Sequence, residues 1–327
     1  MAAAYNPPAM RVLLVKTSSL GDVVHNLPVA SDIRRLFPDA TIDWVVEEGF
    51  AEIPRLHPAV ANVIPVAVRR WRKSPLSPAI WREIAAYRRA VTADFHDVVI
   101  DTQGLLKSAL LARWASGRTC GHAVDSAREP LAARLYRRRF RVDRHRHAVT
   151  RNRLLAAMAL DYSLDDLPLD YGIAAPPLAA PWLPGGAYAV LLTATSRADK
   201  EWPEADWAAL GTALIATGLK CVLPGGSPAE RTRAARLADA LGRAVAAPAM
   251  DLAELSRLLA GAALVVGVDT GLVHLAAALQ RPTIALYCAS DPRLTGVLAG
   301  ADCVNLGDRG QPPAAAEVVG QALRLLG

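Results

Sequence analysis

The chain is short of the residues that build metal centres and disulfide frameworks. Its four cysteines, Cys120, Cys221, Cys288 and Cys303, lie far apart and form no Cys-x-x-Cys pair. That spacing speaks against a zinc site and against a disulfide scaffold, and it fits a reducing cytosol. Long apolar runs are also missing. No stretch approaches the ~18 continuous apolar residues that a membrane span requires. The opening Met-Ala-Ala-Ala-Tyr-Asn-Pro-Pro-Ala has neither the basic nor the apolar region of a secretory signal and reads as a short disordered lead into Met10.

What remains is ordinary globular material, unevenly charged. The 327 residues are 52% hydrophobic and 21% charged, enough for two domains with sizeable cores. Residues 1–165 hold 25 Lys and Arg against 16 Asp and Glu, a net +9, whereas residues 166–327 hold 12 against 15, a net −3. A basic half beside a mildly acidic one suggests that the first half meets a polyanion. Nucleic acid, anionic lipid and a large acidic substrate are all compatible with that, and so is arginine enrichment without a partner.

Strand and helix patterns alternate along the chain, which implies parallel sheets covered on both faces. In the first half, strands are expected over Arg11–Lys16, Thr41–Val46, Ala61–Val66 and Asp97–Ile100. Helices are expected over Asp22–Phe37, bent or interrupted near Pro28, over Trp81–Thr92 and up to Trp114. Residues 166–186 contain Pro168, Pro176, Pro177, Pro181, Pro184, Gly185 and Gly186 and read as a stiff linker. Beyond it come strands Tyr188–Leu192, Lys220–Leu223, Leu264–Val268 and Pro282–Tyr287. Helices Glu204–Ala216, Pro228–Leu241, Asp251–Ala260 and Pro313–Leu326 lie among them. The expected fold class is α/β, with two doubly wound domains, 10–165 and 187–310, facing a cleft, and a closing helix at 311–327.

The loops after the strands carry the polar chemistry. Leu264–His274 reads as a buried strand, the turn Asp269-Thr270-Gly271, and a helix start. Free N–H groups and a hydroxyl there suit an anion, most often phosphate. Asp269 would sit at the strand's carboxyl end, where open α/β sheets bind ligands. The loop after the first strand, Lys16 to Asp22, is neither a GxxxxGK[ST] nor a GxGxxG loop. Asp22 there fits an N-cap, and it also fits a general base taking a proton from a sugar hydroxyl. Thr195, Ser196 and Lys200 share one loop and could clamp a diphosphate. Glu230, after Pro224-Gly225-Gly226, could accept both hydroxyls of a ribose or serve as a first-turn helix carboxylate. Arg69-Arg70-Trp71-Arg72-Lys73 and the seven arginines of Arg134–His147 form basic runs, which are solvated faces unless an anion claims them.

Together these segments resemble the lipopolysaccharide heptosyltransferases of glycosyltransferase family 9. The matching blocks, in order, are Met10–Pro28, Asp43–Pro54, Val63–Lys73, Asp101–Ser108, Ala127–Leu131, Asp199–Pro203 and Val268–Leu279. The resemblance implies a GT-B architecture of two Rossmann-like domains, with the acceptor on the first and the nucleotide sugar on the second. It implies inverting transfer of L-glycero-D-manno-heptose from ADP-heptose to the Kdo of Kdo2-lipid A. By the same resemblance Asp22 is the general base, and Thr195, Ser196 and Lys200 hold the diphosphate. Glu230 meets the ribose, the Met250 backbone meets adenine, Asp269 lies near the heptose hydroxyls, and Thr270, Gly271 and His274 complete the phosphate turn. Arg69, Arg70, Arg72, Lys73 and Arg128 fall where the family holds the acceptor's anionic groups. Ser196 stands where a second threonine is common, Gly225 where a bulkier aromatic can occur, and the match weakens after Arg293.

No ligand cluster of the DxD kind is present, so no metal and no cofactor is expected beyond the donor itself. A cytoplasmic monomer, peripheral at the inner membrane and without a nucleic-acid partner, is the expected setting. The rivals are a heptosyltransferase adding a later heptose, a nucleotide-sugar epimerase of similar fold, and a basic nucleotide- or nucleic-acid-binding module. Asp22 discriminates among them, because an epimerase or a binder gives no reason for a base in the first domain.

Overall fold

In a computed structural model that describes residues 10–183, 185–195 and 197–327, the chain divides into two compact units, one running to Gly172 and the other over Ile173–Gly327. The N-terminal lead (residues 1–9) and Ser196 lie outside the described residues.

The first unit is a six-stranded parallel sheet. Its strands are β1 (Arg11–Val15), β2 (Thr41–Glu47), β3 (Val60–Val66), β4 (His96–Asp101), β5 (Gly117–His122) and β6 (Arg138–Phe140), in the order β3-β2-β1-β4-β5-β6. Strand β1 lies at the centre, with Leu13 facing Asp43 on β2 and Val99 on β4. Val12 to Val15 are fully buried, as the uncharged run requires in a sheet covered on both faces. The order reverses between β1 and β4, so the switch point falls at the ends of these two strands, where Lys16–Asp22 and Thr102–Gly104 emerge.

The second unit repeats the plan with β7 (Tyr188–Leu192), β8 (Lys220–Leu223), β9 (Ala244–Ala246), β10 (Leu264–Val268), β11 (Thr283–Tyr287) and β12 (Cys303–Gly307), ordered β12-β11-β10-β7-β8-β9. Counted within the unit this is the same winding as in the first. Its switch point lies between β7 and β10, where Thr193–Lys200 and Asp269–Gly271 leave the sheet. Trp202 and Trp207 meet edge to face at 5.0 Å inside the core of this unit, and both are 1% exposed. The C-terminal helix Ala315–Leu326 packs on the helix Glu204–Ala216 and belongs to the same unit.

Several elements differ from the sequence reading. The Asp22–Phe37 stretch takes the interrupted of its two expected forms but starts earlier, as helices Leu20–Val24 and Leu27–Leu36, with Pro28 in the first turn of the second, where its missing N–H costs nothing. Strands β5, β6, β9 and β12 and the helix Ala148–Leu160 are additional. The stretch read as a linker is tied down at its start. Arg153 donates to the Leu167 and Pro168 carbonyls at 3.1 and 3.2 Å, and Gly172, at φ +64°, packs so closely on His57 and Ser31 that a side chain would collide with them.

Candidate active site

In the first unit the polar loop after β1 is held by β4's own loop. The Gln103 side chain accepts from the Thr17 N–H and the Thr17 hydroxyl, both at 2.7 Å, and donates to the Ser18 carbonyl. Gln103 is in turn placed by Asp101, whose carboxylate accepts the Gln103 N–H at 2.8 Å and the Tyr136 hydroxyl at 2.7 Å. Burial raises the Asp101 carboxyl against these bonds. Asp101 is therefore a turn builder, fully buried beneath the loop.

Ser19 caps the helix Leu20–Val24, and Asp22 is its third residue. The Asp22 carboxylate accepts the Ser19 N–H at 3.0 Å, the N-cap arrangement that the spacing allows. It also accepts both Arg128 Nη atoms, at 3.2 and 3.3 Å, from 106 residues away. Burial works to raise the Asp22 carboxyl. The Lys16 and Arg128 charges and the Ser19 N–H outweigh it and hold the group below the usual carboxylate range. A carboxylate in this position is ionised at neutral pH, and its part in the helix cap leaves it chemically able to accept a proton.

Lys16 is a residue beside Asp22 to which the sequence reading gave no role. Its ammonium is 5% exposed and donates to the Thr102 carbonyl at 3.0 Å and to Asn152 Oδ1 at 3.2 Å. Burial pushes its pKa down to about 8, with the nearby Arg128 charge adding to that and Asp22 opposing it. The one signal in the sequence was a lysine at the end of a fully apolar strand.

The basic cluster is divided in use. Arg70 is paired with Glu48 and, at 2.9 Å, with Glu83, which also accepts the Trp71 indole N–H at 2.7 Å. Arg69 lies over the Phe50 ring at 5.3 Å, and its backbone N–H reaches Glu47. Arg72 and Lys73 are exposed. Of the later run, Arg138 to Arg141 form an exposed edge strand and its exit, with Arg141 paired to Asp125 at 2.8 Å.

The second unit builds its site from turns. Thr270 caps the helix Gly271–Ala278 with its own side chain uncommitted to the cap, leaving first-turn N–H groups and a hydroxyl on one spot. Asp269, one residue earlier, accepts Lys200 Nζ at 2.5 Å and the Ser290 hydroxyl, with His274 Nε2 at 3.7 Å from its other oxygen. Burial raises the Asp269 carboxyl, but the hydrogen bonds from His274, Lys200 and Ser290 overcome it and hold the group far below the usual range. Ser290, 21 residues on in the loop after β11, was not foreseen. The Thr195 hydroxyl reaches the Asp269 carbonyl at 3.5 Å, which brings the β7 and β10 loops together. Two residues after Lys200 the chain is anchored by the buried Trp202, whose indole donates to the Pro313 carbonyl at 2.9 Å.

Beside this turn lies a pocket of about 210 Å³ lined by Thr195, Glu230, Met250 and Thr270, together with the apolar Leu192, Leu255 and Leu272. Thr195, Glu230, Met250 and Thr270, singled out separately in the sequence, thus line one cavity. Glu230 is committed to its helix through one oxygen. Its Oε2 accepts the Gly226 and Ser227 N–H groups at 2.8 and 2.9 Å, in a capping box with Ser227. Gly225 explains its own departure from the family pattern: a Cβ there would lie 2.7 Å from the Arg231 backbone nitrogen, so this turn has no room for a side chain. Among the described residues, no group of three or more His, Cys, Asp or Glu could hold a metal ion, and no helix is long and apolar enough to cross a membrane.

The family model "Glycosyltransferase family 9 (heptosyltransferase)" matches residues 84–318. Lipopolysaccharide heptosyltransferase 1 of Salmonella typhimurium is 50% identical over 288 residues, covering 88% of this chain and 91% of that protein. The solved structure of E. coli heptosyltransferase WaaC with ADP superposes with a TM-score of 0.89 at 45% identity, covering 97% of this chain and 100% of that one. The structure of the same enzyme with ADP-2-deoxy-2-fluoro heptose gives 0.83 at 44% identity, covering 96% and 98%.

Proposed function

The chain belongs to glycosyltransferase family 9, and from that premise we propose that it transfers L-glycero-D-manno-heptose from ADP-heptose to the Kdo of Kdo2-lipid A, with inversion. The donor occupies the second unit. Adenosine fills the pocket between Met250 and Thr195, and the diphosphate meets the Thr270-Gly271 helix start and the Lys200 ammonium. Asp269 holds Lys200 in place and accepts heptose hydroxyls. As the anomeric bond to the diphosphate breaks, charge grows on the leaving oxygen, and the helix start and Lys200 stabilise it without a metal. The Kdo hydroxyl supplies the new bond, and Asp22 takes its proton.

The observation that carries this reading is the Asp22 carboxylate, kept ionised by Lys16 and Arg128 in the unit other than the one with the nucleotide pocket. An epimerase works on its nucleotide sugar alone and has no acceptor hydroxyl for such a carboxylate to deprotonate. Arg128 doubles as Asp22's clamp and as an acceptor ligand, while Arg72 and Lys73 meet the acceptor's anions. The same basic face rests on the anionic cytoplasmic surface of the inner membrane, and the enzyme acts as a monomer. Incubation with ADP-heptose and either Kdo2-lipid A or its monoheptosylated product tests the assignment by mass spectrometry. Addition of one heptose to the first acceptor is the expected outcome. Transfer only to the second makes this a later heptosyltransferase, and ADP release without transfer removes the assignment.

A further inference from the structure

The first unit carries an open apolar groove of about 570 Å³ between the helix Leu106–Trp114 and the turn Val68–Trp71. Val68, Trp71 and Leu111 form its buried floor. Leu106 and Leu110, one helical turn apart on the same face, form a wall and stay 39% and 44% exposed. On the adjoining turn Pro130–Leu135, Leu131 is 56% exposed. Contiguous apolar surface of this kind, rimmed by charge, marks a binding site more often than a bare solvent face.

The rim is polar and tied to Asp22. Lys107 Nζ donates to the Ser18 hydroxyl at 3.0 Å, in the loop that leads to Asp22. Glu129 accepts the Leu106 N–H at 2.5 Å and so fixes the start of the wall helix, while its chain neighbour Arg128 clamps Asp22. Arg72, from the basic cluster, stands on the same rim. A molecule with a hydroxyl at Asp22 and anionic groups at Arg72 and Lys107 has its next portion beside leucines. Only an amphiphile has an apolar portion to put there.

We propose that this groove takes up an acyl chain of the anionic glycolipid acceptor. The inference rests on the lipid-linked acceptor argued under Proposed function and adds a lipid subsite to it. Each methylene withdrawn from water contributes about 0.8 kcal/mol, or roughly fourfold in affinity, so two buried methylenes already give roughly fifteenfold. The enzyme therefore distinguishes an acylated acceptor from its deacylated sugar through KM.

Steady-state kinetics with an acylated acceptor in mixed detergent micelles and with the fully deacylated acceptor test this, using wild type, Leu110→Gln and the double variant Leu106→Gln/Leu110→Gln. Both positions are part-exposed, and thermal melting confirms folding. The wild type should show an acceptor KM at least tenfold lower for the acylated form. The variants should close that gap several-fold while kinetics on the deacylated acceptor stay unchanged. Equal KM values in the wild type, or a gap that survives both substitutions, overturn the subsite and leave the acceptor reading standing. Loss of binding to acceptor-free anionic vesicles with the gap intact assigns the leucines to membrane docking and also overturns it. Turnover of neither acceptor removes the acceptor reading and the subsite together.

Discussion

The two halves of this chain wind their sheets in the same order and place their polar loops at the same switch point, yet they assemble charge in different ways. In the first half the proposed working group is a side chain, Asp22, tuned by two others, Lys16 and Arg128, that arrive from the end of β1 and from the loop after β5. In the second half much of the work falls to the backbone, a helix start at Thr270 and the tight turn at Gly225, with one ion pair, Lys200 on Asp269, beside it. A reacting oxygen that must lose a proton needs a titratable acceptor. A diphosphate whose charge is permanent needs only fixed donors. On the proposed function, the difference between the halves follows from the difference between these two tasks.

That contrast is broken most directly at Asp22. Asp22→Ala should lower kcat by roughly 10²–10⁴-fold, the span for loss of a general base, and leave ADP affinity unchanged. The helix also loses a capping partner, so circular dichroism and thermal melting belong beside the kinetics. Near-normal turnover in a folded variant would confine Asp22 to its cap and end the division of labour described above.

At Lys200 the comparison is sharpened from the other side. Lys200→Ala should weaken ADP-heptose by roughly 10- to 150-fold, the equivalent of one charge-assisted hydrogen bond, and weaken adenosine far less. Calorimetry with both ligands separates the diphosphate from the nucleoside. Equal losses would mean that Lys200 acts only by holding Asp269, and that the helix start alone carries the phosphates.

A third test uses pH. Lys16 titrates near 8 in the folded chain against an ordinary 10.5. Below about 8 it is charged in both the folded and unfolded states. Between about 8 and 10.5 the unfolded chain binds the extra proton, so this group makes stability rise with pH across that window. Activity should move the opposite way, because loss of the ammonium removes positive charge beside Asp22 and the anionic acceptor. The profile of kcat/KM for the acceptor should bend downward near pH 8. Lys16→Met should lower the plateau by about tenfold and abolish that bend. A bend that persists in Lys16→Met belongs to another group.

Much of this was legible in the sequence where one local rule decided the outcome. Strand Tyr188–Leu192 and helices Glu204–Ala216 and Pro228–Leu241 have the expected bounds, because an apolar run, an alanine- and leucine-rich segment just after Pro203, and a capping box at Ser227 suffice to define them. Strand β5, Gly-Arg-Thr-Cys-Gly-His, has no apolar run and two glycines; it is a strand because β4 and β6 flank it. Strands β6 and β9 are three-residue edges with too little length to show a period. The helix Ala148–Leu160 was hidden behind the arginine run that precedes it. The site divides the same way. Turns at strand ends announced Asp22, Thr195 and Asp269, whereas Arg128 on Asp22 and Ser290 on Asp269 are long-range pairings that no local pattern encodes. Of the two Glu230 alternatives the structure shows the first-turn helix carboxylate, which engages one oxygen in the cap.

The smallest expected effect concerns the basic cluster, where the structure separates residues that the sequence grouped. Arg70 is already occupied by Glu48 and Glu83, and Glu83 is held in turn by the Trp71 indole. An arginine shared between two carboxylates has little charge to offer an acceptor, and exposed pairs of this kind are weak supports in any case. Arg72 and Lys73 are exposed beyond that network, and Arg72 stands on the rim of the apolar groove. Arg72→Gln/Lys73→Gln should therefore raise the acceptor KM several-fold and flatten its salt dependence. Arg70→Gln should change it by no more than about twofold, within the range of an exposed pair. Screening acts over about 8 Å at physiological ionic strength, so measuring both variants at low and high salt distinguishes contact from distant attraction. The donor KM should hold in every case, because the pocket proposed for the nucleotide is lined entirely by the second unit. An Arg70→Gln effect equal to that of the double variant would show that the anion displaces Glu48 and Glu83, making the ion pair a resting state of the acceptor site.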